Sequence, residues 1–569
     1  MWETLQLLVV WRGSFKEIEG QHGSSTTSYF TVLRWLMFLN LFVTVVTLGA
    51  IVLPQVFFQP STFLETMGNT TDLTDFQETA KNCSNVYINQ MDNVTEKESI
   101  VDKVLAVIQG TGFMERTVLF AGFYFSKTYK MVGDDEDQSY NMPLAFLLTM
   151  AAYFFVTLIL MILYTGDGVK EQLLASGEQF NQYFNKIFSA WDYTLMQKKA
   201  SDQKQHDLCR AFKNDLEQIQ EKKRRKGMNT LQKARVYLAR ICVNLVVLAF
   251  WAGAGYLIYM VVTVWSKQLL DKDTVKDSEI LKLIVEFLPS LTITILNVFI
   301  PTLFYMLARV EDLTPDSEVE ITVIRSVVLR LASIIVLVVS LQTKISECRS
   351  DDEEEEQKNK MCHNCQETQC WETYVGGQFY KLVVMDFFVT VITTLAEFLR
   401  GAIAKALGKD SFVGKLIGLK EFDLPKNVLD IVYSQTICWI GAFFCPLIPA
   451  ITVVKFFLYF YLKKWTLLKN YAKSPKAYRA SKTNTFFMAV LLGSFVLCAI
   501  VMAYVVGRMQ PSVSCGPWRV YTKEDYFMYM SVSDIVSTAP QLWQTILTFL
   551  TSWLFYVPML IVMRYEQIM

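Results

Sequence analysis

The chain has 569 residues, of which 52% are hydrophobic and 19% are charged, and its formal net charge is zero. A neutral chain has no electrostatic reason to bind a polyanion, so no nucleic-acid partner is predicted. The sequence holds three histidines and lacks a Gly-rich phosphate loop and the GxSxG and HExxH motifs. We therefore predict neither an enzymatic activity nor a cofactor.

Apolar residues are gathered into long runs rather than spread at strand or amphipathic-helix spacing. Because about 20 apolar residues cross the hydrocarbon core as a helix, the runs predict an all-α polytopic membrane protein with about ten spans. They lie at 30–55, 143–165, 238–264, 283–308, 322–343, 375–399, 427–446, 449–463, 486–507 and 542–563. The residues CPLIP (445–449) separate the short seventh and eighth runs. We expect a tight hairpin there, since proline ends helices, although one bent helix would give nine spans.

Two features orient the chain in the membrane. The N-glycosylation pattern occurs in one loop, after the first span, at Asn69, Asn82 and Asn93. This places that loop outside the cytosol and both termini inside. The basic stretch 463–482 then faces the cytosol, as the positive-inside rule requires.

Six segments follow from this topology. They are a cytosolic N-terminal segment 1–29, the first two spans with the glycosylated loop 30–165, a cytosolic helical loop 166–237, spans three to eight 238–463, a basic cytosolic loop 464–485, and the last two spans with a short tail 486–569. The membrane is the plasma membrane or an endomembrane, and lipids surround the spans.

The eleven cysteines divide by compartment. Six fall outside the cytosol, where an oxidising environment favours disulfides: Cys83, Cys348, Cys362, Cys365, Cys370 and Cys515. Neither a second CxxC nor a histidine pair completes a zinc site, so no metal is predicted. We expect the other five to be free thiols: Cys209, Cys242, Cys438, Cys445 and Cys498.

Polar residues inside the spans mark the candidate pathway, because ionisable groups there are costly and usually functional. In the sixth span one helical face carries Asp386, Thr390, Thr393 and Glu397. The fourth span repeats the pattern with Glu286, Ser290, Thr294 and Asn297. Together the two stripes could line a hydrated cation pathway. The alternative is structural: polar groups bond neighbouring helices, and Lys455 pairs with Asp430 or with Asp386, or reaches the interface.

Several strings resemble the transmembrane channel-like (TMC) family. The string CWETYVG (370–376) is similar to that family's CWETxVGQE signature, although Gly377 and Gln378 stand where Gln-Glu is usual. Further matches are SYF (28–30), AWDY (190–193), QTICWIG (435–441), RAS (479–481) and CGP (515–517). The matches run in order along nearly the whole chain, and the outer loops look closer to the non-auditory branch.

This resemblance implies an anoctamin- and OSCA-like fold with ten spans, a homodimer, and one pathway per subunit lined by the fourth to seventh spans. It maps pore residues onto Asp386, Thr393 and Asp423. It also implies that a calcium- and integrin-binding protein binds the cytosolic loop 167–237. The hair-cell members subserve mechanotransduction, so opening by force is an expectation to test.

We therefore expect a pore-forming, cation-permeable and mechanosensitive channel. One alternative on the same fold is a lipid scramblase or an anion channel. Another is a non-conducting membrane scaffold that regulates other transporters. The scaffold hypothesis predicts that neutralising the sixth-span stripe leaves function intact.

The topology makes a first prediction about glycosylation. Replacing Asn69, Asn82 and Asn93 together by Gln should abolish an endoglycosidase-sensitive mass shift in mammalian cells, because only a loop exposed to the lumen receives glycans. Gel mobility with and without the glycosidase is the measurement. A wild-type chain that carries no glycan would remove the main support for this orientation.

Overall fold

The chain folds into a bundle of long helices. The computed structural model describes residues 11–57, 82–89, 100–125, 128–130, 139–176, 187–188, 198–270, 279–313, 315–351, 369–406, 422–471, 480–519 and 527–532. Within these residues the helices of ten residues or more are α1 (Arg12–His22), α2 (Ser24–Thr47), α3 (Ile100–Gln109), α4 (Met142–Ser176), α5 (Lys198–Lys226), α6 (Thr230–Met260), α7 (Glu279–Ala308), α8 (Pro315–Asp351), α9 (Trp371–Ala406), α10 (Leu424–Phe444), α11 (Ile448–Asn470) and α12 (Ala480–Arg508).

Shorter elements extend or connect these helices. Helix α2 continues through a π-helical turn, Leu48–Val52, into Leu53–Phe57, and α6 continues through Val261–Trp265 into Ser266–Leu270. Three short 3₁₀ turns follow the longer elements: Gly112–Arg116, Ala121–Phe123 and Arg309–Glu311. Before α4, the strands β1 (Thr128–Lys130) and β2 (Ser139–Asn141) pair antiparallel.

The membrane-spanning character of the chain is confirmed by seven helical stretches among the described residues. These are long and apolar enough to cross a bilayer: Thr26–Phe57, Met142–Lys170, Thr230–Trp265, Leu283–Glu311, Ser317–Ile345, Trp371–Ile403 and Thr485–Arg508. The protein is thus an all-α polytopic membrane protein. The predicted seventh and eighth spans are helical too, as α10 and α11, but their charged residues lower their hydropathy. The predicted tenth span, 542–563, lies outside the described residues.

Helices α10 and α11 form the predicted hairpin. Helix α10 ends at Phe444, and α11 begins at Ile448 with Pro449 in its first turn. A Cβ built on Gly441 would lie 2.7 Å from the Ile448 side chain, so the two helices approach closely beside the turn. The prolines therefore break the chain into two antiparallel helices, as the sequence predicted.

Helix α10 occupies the centre of the bundle. Nearly every residue from Leu424 to Phe444 is buried, and α10 packs against α2, α8, α9, α11 and α12. One fixed contact is a reciprocal amide pair, in which Asn40 of α2 donates to Gln435 at 2.7 Å and accepts from it at 3.0 Å. Gln435 belongs to the QTICWIG string. Because protein surrounds α10, it can carry polar residues that lipid would exclude.

The start of α9 is fastened by residues of the CWET string. Cys370 forms a disulfide with Cys515, and the Trp371 indole donates to the Gln510 carbonyl at 3.1 Å. The Glu372 carboxylate accepts from the Ser512 backbone N–H at 2.8 Å and from its hydroxyl. We call these contacts the CWET staple, and the end of the bundle that holds it the disulfide end. The opposite end, with the turn Arg309–Glu311, is the loop end.

The remaining cysteines divide largely as the sequence suggested. Cys83 is also disulfide-bonded. Cys362 and Cys365 lie outside the described residues, as does the side chain of Cys348. The five cysteines expected to be free thiols are free in the structure: Cys209, Cys242, Cys438, Cys445 and Cys498.

The staple leaves no room at Gly122, which gives the second prediction. A Cβ there would overlap the Thr373 hydroxyl and lie 2.6 Å from the Cys370 sulfur. Gly122→Ala should therefore destabilise the protein by about 1–3 kcal/mol, as overpacking does, and lower its Tm in detergent. The matched control is Gly253→Ala in α6, where a Cβ meets nothing within 4 Å. Equal Tm values for the two variants would contradict the staple geometry.

Candidate functional site

A buried ion pair joins α9 to α11 inside the membrane-spanning bundle. The Lys455 ammonium contacts the Asp386 carboxylate, and the Ser434 hydroxyl of α10 donates to the same carboxylate oxygen. The Tyr459 hydroxyl donates to the Asp386 backbone carbonyl at 3.2 Å. Lys455 is only 3% exposed and Asp386 only 9%. We call these four residues the α9–α10–α11 junction.

The helical repeat explains why these side chains meet. Lys455 and Tyr459 are four residues apart, so they lie on one face of α11 and both reach α9. The Lys455 ammonium also lies 5.6 Å from the centre of the Tyr459 ring. An unpaired lysine at this depth would be very costly, and pairing with a carboxylate makes its burial tolerable. Lys455 therefore pairs with Asp386 here, whereas Asp430 has another partner.

The rest of the sixth-span stripe also faces protein. Thr390 is 7% exposed, and Thr393 donates to the Thr390 carbonyl at 3.1 Å. One turn further on, Glu397 accepts a hydrogen bond from the Tyr471 hydroxyl just after α11. The four polar residues thus share one face, as predicted, and α11 and its C-terminal extension contact that face at both ends.

The fourth-span stripe turns inward as well. Glu286 lies 3.7 Å from the Lys381 ammonium of α9. Ser290, Thr294 and Asn297 are all buried, and Thr294 donates to the Ser290 carbonyl at 2.7 Å. Both predicted stripes therefore lie within the bundle that surrounds α10.

A small pocket at the loop end brings Thr393 and Glu397 of the sixth-span stripe together with Asp423. Asp423 is the N-cap of α10, and its side chain accepts from the Lys426 backbone N–H at 3.3 Å. The pocket is lined by Thr393, Glu397, Asp423, Lys426, Asn427, Asp430, Lys463 and Tyr471. Three carboxylates and two ammonium groups thus surround one opening.

Sequence reasoning missed the arginines and the lysine that balance the acids. Arg330 of α8 pairs with Asp430 at 2.7 Å, and Arg325 pairs with Glu311 at 2.5 Å. Lys381 is the counterpart of Glu286. The available signal was simple: Arg325 and Arg330 interrupt the apolar run 322–343, and a charge in a span requires a partner of opposite sign.

Outside the spans, Glu115 at the disulfide end is an acid with a shifted pKa. Burial raises the pKa of Glu115 to about 7, although the nearby Lys381 ammonium acts in the opposite direction. Because the folded-state pKa lies above the usual value of 4.5, ionising Glu115 lowers stability as the pH rises between these values. Below that window the carboxyl is neutral in both states and has no effect.

The CWET staple is the one place among the described residues where three side chains able to ligate a metal converge: Cys370, Glu372 and Cys515. The two sulfur atoms are bonded to each other, and the carboxylate is engaged by Ser512. These contacts account for all three side chains as structural groups. Of the sequons, Asn82 is exposed at the start of a short helix, 82–89, whereas Asn69 and Asn93 lie outside the described residues.

Comparisons with known proteins agree with the motifs. The family profile described as the TMC domain matches residues 370–481, which run from the CWET staple past α11. The chain is 32% identical to the human protein "Voltage-gated chloride channel TMC4" over 564 residues, covering 98% of this chain and 74% of the relative. The chain belongs to the transmembrane channel-like family.

Other members of the TMC family align over similar lengths. The mouse "Voltage-gated chloride channel TMC4" is 31% identical over 99% of this chain and 76% of its own length. Mouse "Transmembrane channel-like protein 8" is 30% identical over 97% of this chain and 72% of its own length. The family strings therefore belong to a similarity that extends through every described span, and the relatives' names support a channel of the TMC family.

The junction generates the third prediction. Asp386→Asn should destabilise the protein by about 3–5 kcal/mol, because it leaves the Lys455 ammonium buried without a counter-charge. Asp386→Asn combined with Lys455→Met should restore much of the loss, since no charge then remains unpaired. The height of the monodisperse peak in fluorescence-detected gel filtration measures the folded fraction of the single and the double variant. A double variant no better folded than the single one would count against the pairing.

Proposed function

We propose that this protein is the pore-forming subunit of an ion channel whose pathway follows α7, α9, α10 and α11 and favours anions. The observation that carries the proposal is the α9–α10–α11 junction, a charged and hydroxyl-bearing contact buried in a membrane bundle. Such groups are costly in lipid and mark ion pathways by default. Family membership supports the same conclusion.

Charge balance removes the electrostatic reason to expect cations along the stripes. An acidic stripe would attract cations only if its carboxylates kept their charge unopposed. Here Asp386 is matched by Lys455, Asp430 by Arg330, and Glu286 by Lys381. The names of the human and mouse TMC4 relatives describe chloride channels gated by voltage, and this favours anions. We carry both properties to this chain as proposals.

Cation permeation is the second candidate, and one observation favours it. The loop-end pocket gathers Glu397, Asp423 and Asp430 at one opening, where they could concentrate cations. Lys426 and Lys463 line the same pocket and offset part of that charge. The selectivity of the purified protein decides between the two.

Opening by membrane tension has its own structural support. The short helix α1 precedes the first span, and the Trp11 ring beside it stacks on Phe460 of α11 with centroids 3.7 Å apart. Lys464 of α11 also pairs with Glu17 of α1 at 2.9 Å. A helix lying at the interface would transmit lateral tension directly to the helix that carries Lys455.

The assembly and its surroundings complete the proposal. We propose a homodimer with both termini in the cytosol and a calcium- and integrin-binding protein on the loop 167–237, where α5 is linked to the bundle by Arg224 and Asp312 at 2.5 Å. A lipid scramblase and a non-conducting scaffold are the other outcomes that reconstitution would reveal.

The fourth prediction tests the conducted ion. Purified wild-type protein in liposomes, recorded under a sodium chloride gradient with voltage steps and suction, should give currents that reverse near the chloride equilibrium potential. Reversal near the sodium potential would favour cation permeation instead. Fluorescent lipids in the same liposomes report scrambling, and empty liposomes are the control. If the purified protein transports neither ions nor lipid, the scaffold hypothesis is the one that remains.

A further inference from the structure

The arrangement around Asp386 is that of an occupied anion site. Two donors from different helices, the Lys455 ammonium and the Ser434 hydroxyl, converge on one oxygen of the Asp386 carboxylate. Both donors are buried, at 3% and 2% exposure. An ammonium and a hydroxyl directed at one point bind an anion of any origin, and here that anion is a side chain.

Lys455 cannot remain without a counter-anion. Its ammonium is enclosed by α9, α10 and α11, where an uncompensated charge would be strongly unfavourable. If α9 moves away from α11, Asp386 leaves with it, because the carboxylate belongs to α9. The two donors stay on α10 and α11, which remain joined by the turn between Phe444 and Ile448. A small free anion could then take the place of the carboxylate.

The exposure of α9 makes it the helix best placed to move. Only 22% of its most apolar stretch is buried, compared with 61% for α8. Its outward face carries the exposed side chains of Phe388, Ile392 and Leu395. These side chains point away from the other helices of the described bundle, so lateral displacement of α9 breaks few packing contacts on that side.

We propose that Lys455 and Ser434 form a binding site for a monovalent inorganic anion of the halide class, and that Asp386 occupies this site as a tethered competitor. The inference rests on the proposed function, because a site in the pathway matters most if anions pass it. Beyond anion selectivity, the proposal names Lys455 and Ser434 as the residues that bind the anion and Asp386 as the group that excludes it.

The first experiment needs no conduction and uses the full-length chain. Asp386→Asn protein is solubilised in sodium chloride and, in parallel, in sodium gluconate at equal ionic strength. Chloride should raise its Tm by about 2 °C or more relative to gluconate, because a bound ligand stabilises the folded state. Wild-type protein, whose site is filled by Asp386, should show a much smaller difference.

Two further variants make this result specific. Asp386→Asn combined with Lys455→Met should lose the chloride dependence, since the cationic ligand is gone. Glu311→Gln combined with Arg325→Met, which removes a buried pair that has no part in the proposed pathway, should leave the small wild-type difference unchanged. An Asp386→Asn protein that is recovered folded only in chloride supports the site. Equal stability or equal instability in both salts overturns it.

Conduction provides the second experiment. The double variant Asp386→Asn with Lys455→Met carries no unpaired charge, and its chloride-to-sodium permeability ratio should fall several-fold below wild type. An unchanged ratio overturns the role of Lys455. If wild-type protein conducts only cations, the proposed selectivity fails, and the chloride dependence of Tm then decides by itself whether the site exists.

Discussion

The contact on which the described bundle depends is the ion pair between Asp386 and Lys455. A lysine buried inside a membrane bundle must find an acid, and this one finds it on a helix distant in sequence. The pair fixes the rotation of α9 and α11 about their own axes, and Ser434 adds α10 to the same point. With three helices oriented by one contact, the stripe of α9 faces inward rather than toward lipid.

A second constraint acts at the disulfide end. The CWET staple holds the first turn of α9 through a covalent bond and several hydrogen bonds, whereas the ion pair contacts the middle of α9. Near the loop end, Asn470 donates to the Phe398 carbonyl at 2.7 Å, and Tyr471 contacts Glu397. Movement of α9 is therefore expected to pivot about the staple and to change the junction most directly, which connects the family signature to gating.

Much of this fold could be predicted from the sequence, because long apolar runs and proline breaks act locally. The hairpin between α10 and α11 followed from CPLIP alone, and the shared face of Asp386, Thr390, Thr393 and Glu397 followed from helical spacing. Partners could not be decided from the sequence. Lys455 had two candidate acids, Asp386 and Asp430, and it pairs with Asp386 because the packing of α8 against α10 gives Asp430 to Arg330. Treating acids alone as the signal also suggested an acidic pathway, and the opposing cations Arg330, Lys381 and Lys455 change that expectation.

The most direct test of this account is a charge exchange across the junction. Asp386→Lys and Lys455→Asp are made singly and together, and the folded fraction of each is measured by fluorescence-detected gel filtration. Each single reversal places two like charges together in a buried site and should lose most folded protein. The exchanged pair should recover much of it, since opposite charges again face each other. Full expression of Asp386→Lys alone, with no gain from adding Lys455→Asp, would contradict the central claim that these two residues hold the bundle together.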